Sequence, residues 1–534
     1  MNAARVRQSG ALVGLALVLA GCVTPAPSPT PTVTAVSPTQ SSSASSQPIS
    51  TPAPTSTAAA TASTFPLAVV TGLTNLEATT TLADARALAT AGKLLIPCGL
   101  SGLTFGGKAF ALPTACTATP DIFAAIGQTP KATALLPAGL VDPRVKVLPV
   151  EGADLFGDTV VRTKPYPVMG STDGSASSLP ASAIAYDANT ITTIVSTGDT
   201  CPDRAPSYWA NVKGKGWDWT LQGGTARYTG TYIDHQFSPV GGNGYTVVKA
   251  VRTGQDIGAI WNQIKDADIA VNDFECPMVA NFTQHNSGTF FTIDPKVAGL
   301  FNRVGMDFAS LGSNHGTDLG ASGIQQTLAY LDKAGVKYSG AGANVAQAMA
   351  PAVFDVHGIR FAFISWDATG VSHAATAAGW GELHPTPENV TATVALARSQ
   401  ADVVILMPQW NFPEYSAPFT RTALAQRDAW FAAGVDDILG SGTHWSSAIS
   451  ITEPDPSKGW RVAVTSHGNF LFGQLFSRQT QEGLIYEVTF RGTQLVQVRM
   501  HPYIVMDGAQ PNLTDPATDG AHVQNQVLDV SVLP

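Results

Sequence analysis

Charge is scarce in this chain. Only 13% of its 534 residues are charged, and Lys and Arg number 30 against 39 Asp and Glu. The cations are scattered rather than gathered into a basic stripe. With a net charge of −9, this argues against nucleic acid as a partner. Sequence signatures of several enzyme classes are missing too. There is no P-loop, no GxGxxG dinucleotide fingerprint and no GxSxG elbow between a strand and a helix. Long apolar runs are also lacking: the one near the N-terminus, "ALVGLALVLA", is shorter than the roughly 20 residues of a permanent membrane span. Cysteine is sparse, at five residues. Hydrophobic residues, by contrast, reach 44%, enough to bury a core and to argue against global disorder. The length calls for two or more domains.

The apolar run follows Arg5 and Arg7 and ends in Leu19, Ala20, Gly21 and Cys22. A basic start, a short apolar stretch and small residues describe a secretory signal over residues 1–21. The Leu-Ala-Gly-Cys ending resembles the lipobox of bacterial lipoproteins, in which the Cys is lipidated and becomes the first mature residue. The competing reading is an ordinary cleaved signal with a chance Cys. Residues 22–64 are then nearly all Pro, Ser, Thr and Ala. Such a segment cannot repay its ordering entropy by burial and stays extended, as a disordered stalk. The expected location is the outer face of the bacterial cytoplasmic membrane, held through Cys22. Four cysteines remain, an even number that suits disulfides in an exported chain. Spacing favours Cys98 with Cys116 and Cys201 with Cys276.

Residues 65–180 read as a small α/β domain of unassigned role. "TLADARALATAGK" has helical spacing and "LLIPCG" is strand-like. Asp154 and Asp158 sit in a polar loop there and are expected to be solvated. From about 190 to 505, short apolar strands alternate with amphipathic helices. The strands include "TTIVSTGD", "ADIAVND", "DFASLGSNH", "RFAFISWD", "ADVVILMPQ", "VDDILGSGTH" and "RVAVTSHGN". The helices include "GIQQTLAYLDKAG" and "RTALAQRDAWFAAG". This alternation predicts a layered α/β fold with its chemistry at the strands' C-terminal edge. Residues 506–534 read as a C-terminal tail.

Four strand ends carry candidate ligands: Asp199, then Asn272 and Glu275, then Asn314 and His315, and finally His444. Oxygen and imidazole donors from separate strands suit Mn, Fe or Zn rather than a Cys-rich structural site. Each fragment alone is weak, because strand-end Asp and Asn often cap the next helix. Asp318 lies three residues after His315, within reach if the segment starts a helix. Cys201 and Cys276 adjoin proposed ligands and could be soft metal ligands or a disulfide; the disulfide is favoured in an oxidising compartment. His467 is expected to serve packing or the surface rather than the site. Asp203, His235 and His285 show no pattern.

Taken in order, "GDTCPDR" (Gly198, Asp199, Arg204), "NDFECP" (Asn272, Glu275, Pro277) and "NHGTDLG" (Asn314, His315, Asp318, Gly320) resemble the CapA-type poly-γ-glutamate capsule proteins. These belong to the calcineurin-like metallophosphoesterase superfamily. The likeness spans roughly residues 190–505 and includes "GSGTHW" and "SHGNFLF". It implies a fold of central β-sheets flanked by helices. It also implies one metal held by Asp199, Glu275 and His444, and a second held by the shared acid, Asn314 and two further histidines. His315 would protonate the leaving group, oriented by Asp318. Two departures stand out. Where relatives have His-Trp-Gly, this chain has Gln409-Trp410-Asn411, and where they have Gly-His-His-Pro-His, it has Gly440-Ser441-Gly442-Thr443-His444. Both histidines of the second metal are replaced, so at most one divalent ion is expected. The resemblance implies a surface lipoprotein serving capsule synthesis, export or retention, with an anionic polymer or a capsule synthesis complex as partner. The alternative is a non-catalytic scaffold on a degenerate fold. An active two-metal phosphoesterase ranks last.

Overall fold

A computed structural model describes residues 62–175, 179–234, 244–410, 413–453 and 455–534. The signal segment, Cys22, nearly all of the stalk, His235 and Asn411 lie outside the described residues. No helix among the described residues is long and apolar enough to cross a membrane.

The N-terminal portion forms its own seven-stranded, mostly antiparallel sheet around the strand Ser63–Gly72. That strand starts earlier than the sequence implied. Ser63 and Thr64, assigned to the stalk, already pair with Thr172 and Ser171. Phe65, Leu67 and Val69 pack into one core and Ala68 and Val70 into another. The second core also takes in Ile191 and Val496, so this portion is fused to the rest through shared apolar burial. Polar ties reinforce the seam. Gln497 accepts from the Val147 amide at 2.9 Å, and Arg162 grips Asp268 through two hydrogen bonds. Asp154, expected to be solvated, is buried and ion-paired with Arg499, which also pairs with Glu487. A polar loop therefore hides a buried carboxylate because its partner cation comes from a strand far along the chain. Asp158 caps the short helix Thr159–Arg162 by accepting from Val160 and Val161 amides.

Two larger sheets carry most of the remaining chain, beside the two-stranded pairs Ala226–Asp234 with Tyr245–Arg252 and Ala341–Gly342 with Gly381–Glu382. In the eight-stranded sheet, Lys337–Ser339, Phe308–Ser310, Ile269–Phe274 and Ile191–Thr200 run parallel, the short strand Asn469–Leu471 also pairs parallel with Ile191–Thr200, and Glu482–Arg491, Gln494–Met506 and Gln510–Leu513 continue antiparallel. In the six-stranded sheet, Ile359–Asp367, Val403–Gln409, Asp437–Leu439 and Arg461–Val464 run parallel, between the antiparallel edge strands Ala352–Val356 and Ile449–Thr452. The seven sequence-read strands are all present.

Their continuous apolar runs have a simple cause, since both faces of each sheet are covered. One core lies between the sheets, where Ile194, Val271 and Phe308 meet Phe363, Ile405 and Val464. A second lies under helices on the outer face of the larger sheet and includes Phe301, Ile324 and Leu328. A third lies under helices outside the smaller sheet and includes Val394, Trp430 and Ile364. The result is a helix–sheet–sheet–helix sandwich. Its helices end where their sequences dictate: Thr420 caps Arg421–Ala433 by accepting from the Ala423 amide, and Gly335 closes Gly320–Ala334 at φ +75°.

The expected tail, 506–534, is part of the fold. Gln510–Leu513 pairs with the strand Gln494–Met506, and the helix Ala521–Leu528 buries Val523 and Val527 in the inter-sheet core. Burial of these apolar side chains is what keeps the chain end folded back.

Candidate functional site

The parallel strands of both sheets point their C-terminal ends at one place, where open α/β sheets ordinarily bind ligands. Asp199 ends the strand Ile191–Thr200, Glu275 follows Ile269–Phe274, and His444 lies in the loop after Asp437–Leu439. One ligand atom from each lies within 4.8 Å of the others, and all three residues are buried. Gly198 permits this approach: a Cβ there would meet the Gly468 carbonyl oxygen at 2.0 Å.

His444 is held from several sides. Its Nδ1 is 2.9 Å from Asp199 Oδ2 and 3.1 Å from Asn469 Oδ1. Asn469 is itself fixed, donating to the Thr480 carbonyl and to Gln474. His444 takes φ +60°, a left-handed conformation that costs a non-glycine residue energy and that clusters at functional positions. Tyr415, also left-handed at φ +58°, lays its ring 5.9 Å from the imidazole.

A cation fits this cluster on its donors. Asp199 Oδ1 and both carboxylate oxygens of Glu275 are buried without a hydrogen-bond partner among the described residues. Uncompensated burial pushes Asp199 up to about 8; burial, with the Asp199 charge adding to it, pushes Glu275 up to about 8. Buried carboxylates with no donors are costly unless a positive charge joins them, and two carboxylates with an imidazole suit Mn, Fe or Zn.

The neighbouring position has a different character. Asn314 Oδ1 accepts from the Gln409 side-chain amide at 3.3 Å, and Gln409 Oε1 accepts from the Ser441 hydroxyl at 2.8 Å. Ser441 in turn contacts Asp273, a buried carboxyl that burial and then the Asp199 charge hold well above the usual carboxylate range. The donors that remain here satisfy one another in a neutral chain. Such a chain is a poor host for a transition metal, which needs imidazole or ionised oxygen ligands.

His315 stands at the rim with Asp318 Oδ2 3.1 Å from its Nδ1, and that same oxygen accepts from the Phe291 amide. The Phe291 ring meets the imidazole edge-on at 4.8 Å. Asn272 points elsewhere: fully buried, it donates to Thr197, Gly198 and Thr200, bracing the strand that carries Asp199. Cys201 and Cys276 form a disulfide between the two ligand-bearing strand ends, and Cys98 and Cys116 form another in the N-terminal portion. His467 is buried but is not one of the clustered groups; its Nδ1 donates to the Gly440 carbonyl, and its ring meets Tyr486 at 89° with centroids 5.0 Å apart.

Sequence reasoning missed two residues that touch the site, Asp273 and Asn469, and one part-buried pair near it in sequence. Asp273 sits between two motif residues and is hidden by strand alternation. Asn469 lies inside "SHGNFLF" with nothing local to mark it. Asp203 and His285 form a close pair, Nδ1 to Oδ2 at 2.5 Å, across 82 residues, a separation that no motif bridges.

The layers and the strand-end cluster define the class first: a calcineurin-like metallophosphoesterase fold with one buried cluster, Asp199, Glu275 and His444, that could hold a metal ion. Residues 193–474 match the family described as "Bacterial capsule synthesis protein PGA_cap", and the chain belongs to that family. Similar proteins include "Capsule biosynthesis protein CapA" of Bacillus anthracis, 25% identical over 275 residues, covering 49% of this chain and 64% of that protein. "PGA biosynthesis protein CapA" of Bacillus subtilis (strain 168) is 25% identical over 237 residues, covering 43% and 60%. The chain thus spans less than two thirds of the length of either relative. Among solved structures, a hypothetical protein from Thermus thermophilus is 13% identical at a TM-score of 0.30, covering 46% of this chain and 91% of that one. A putative 5'-nucleotidase from Staphylococcus aureus is 12% identical at 0.32, covering 64% and 58%. The fold assignment rests on the layers and the family match, not on these.

Proposed function

We propose that this chain is an exported, lipid-anchored capsule-assembly protein whose strand-end cluster works as a single-metal hydrolase-like site. The observation that carries the chemistry is the buried Asp199–Glu275–His444 set, three of whose four carboxylate oxygens lack donors among the described residues. A divalent ion there supplies Lewis acidity and lowers the pKa of water. The protein's own groups do the rest. Asn469 fixes the His444 ring, and Asp318 holds His315 so that its Nε2 gives a proton to the departing atom of a phosphate ester or amide. The Bacillus relatives, a capsule biosynthesis protein and a PGA biosynthesis protein, support capsule assembly as the setting, and the family resemblance implies an anionic polymer as the partner.

Metal content and phosphodiester hydrolysis of the purified protein, measured for wild type and His444→Ala, test the site. The expected result is metal-dependent hydrolysis that falls by a factor of about 100 or more in the variant, as when a group acting directly in the chemistry is lost. Equal rates would overturn the enzymatic reading. A scaffold role is the second reading, favoured by the neutral Asn314–Gln409–Ser441 chain. The lipid anchor is supported by the Leu-Ala-Gly-Cys sequence at residues 19–22. Two disulfides suit an oxidising compartment. Cys22→Ser is expected to move the protein from the membrane fraction to the soluble one; retention in the membrane would contradict the anchor.

A further inference from the structure

The chain's net charge of −9 opposes an anionic polymer at long range, yet its few cations are not evenly spread in space. A cleft of about 1040 Å³ opens on the outer helical face of the larger sheet. Four of its lining residues are cationic: Lys215 from the loop after Tyr208–Val212, Lys296 and Arg303 from the helix Lys296–Val304, and Lys333 from Gly320–Ala334. Nothing in the sequence gathers them, because they come from three separate segments. Arg303 pairs with Asp218 through its Nε and terminal nitrogen, and Lys296 lies 3.7 Å from Asp294. Lys215 and Lys333 are exposed and form no ion pair among the described residues. Cations therefore outnumber carboxylates in the cleft.

The cleft is also joined to the catalytic rim. Asp294, beside it, accepts from the Trp217 indole at 3.2 Å and from Asn211. Three residues earlier, Phe291 packs on His315.

We infer that this cleft is a docking surface for a linear polycarboxylate, one class of the anionic polymer named in the capsule-assembly reading, on which the inference rests. Single exposed ion pairs contribute little, so a lone carboxylate would not be held. Several carboxylates on one chain engage Lys215 and Lys333 together, beside the already paired Lys296 and Arg303, and each engagement after the first is effectively intramolecular. The Arg303–Asp218 pair already shows a carboxylate seated on this wall. Long-range repulsion by the acidic remainder leaves the cleft as the place where such a chain settles.

Fluorescein-labelled polyglutamate titrated into the full-length protein tests this, against monomeric glutamate and polyphosphate as comparators. Wild type is expected to bind the polymer in a salt-sensitive manner, to ignore the monomer, and to prefer polyglutamate to polyphosphate. The Lys215→Glu/Lys333→Glu variant should bind about tenfold or more weakly, a change of roughly 1.4 kcal/mol, with a flatter salt dependence. The neutral variant Lys215→Gln/Lys333→Gln should fall between. All of these residues are exposed, and an unchanged melting temperature verifies folding. Unchanged polymer affinity in both lysine variants overturns the cleft, as does a preference for polyphosphate. The site reading fails separately, by equal hydrolysis in wild type and His444→Ala.

Discussion

At the residue scale, the contrast between His444 and His467 is informative. Both are buried histidines near the same strand ends. His444 has a carboxylate and an oriented amide as partners and accepts a strained backbone to keep them. His467 has one carbonyl, and its Nε2 is buried without a partner. Burial therefore lowers the His467 pKa from 6.5 to about 4. Because the folded-state value is depressed, the folded protein binds fewer protons than the unfolded chain between those values. The stability that His467 contributes is present above pH 6.5 and is lost as pH falls toward 4. The shift corresponds to at most about 3 kcal/mol. Urea unfolding of wild type and His467→Gln at about pH 7 and about pH 4.5, either side of that window, is expected to show a larger acid loss in wild type. Parallel losses would mean that the imidazole is not held neutral by burial. The raised carboxyls contribute the opposite slope in both proteins, so the difference isolates this ring.

At the scale of elements, strand identity and order were legible because both sheets are covered on both faces, leaving apolar runs that end in polar loops. The loops that bring Asp199, Glu275 and His444 together were legible for the same reason, since they follow those strand ends. What was not legible came from pairings across long separations. The Asp154–Arg499 ion pair turned an expected solvated loop into a buried seam, and the helix Ala521–Leu528 turned an expected tail into core. Asp273 and Asn469 act on the site through contacts with Ser441 and His444 that local pattern does not encode. The Cys201–Cys276 disulfide ties the loops that carry Asp199 and Glu275, closing a span of 75 residues. Replacing both cysteines by serine is expected to cost about 2–5 kcal/mol of stability and to weaken metal binding, because the two carboxylates lose their shared tether. Calorimetric metal titration of the folded variant checks this; unchanged affinity would show that the strands alone fix the ligands.

At the scale of the whole molecule, the fold presents three features on one frame. A fused N-terminal sheet buttresses the sandwich through a shared core. The strand ends gather two carboxylates and an imidazole. A cationic cleft lies on the outer helices, joined to the site by the Phe291–Asp294 segment. The family match covers most of the sandwich and the site, whereas the N-terminal sheet lies outside it. The central claim is that the replacements at Gln409 and Ser441 removed one ion and left the other. Direct metal analysis of purified full-length protein by mass spectrometry, after exposure to Mn, Fe or Zn and removal of the unbound ion, reads this claim. The account predicts one tightly held ion per chain in wild type and none in His444→Ala. Two ions per chain, or none in wild type, would contradict it.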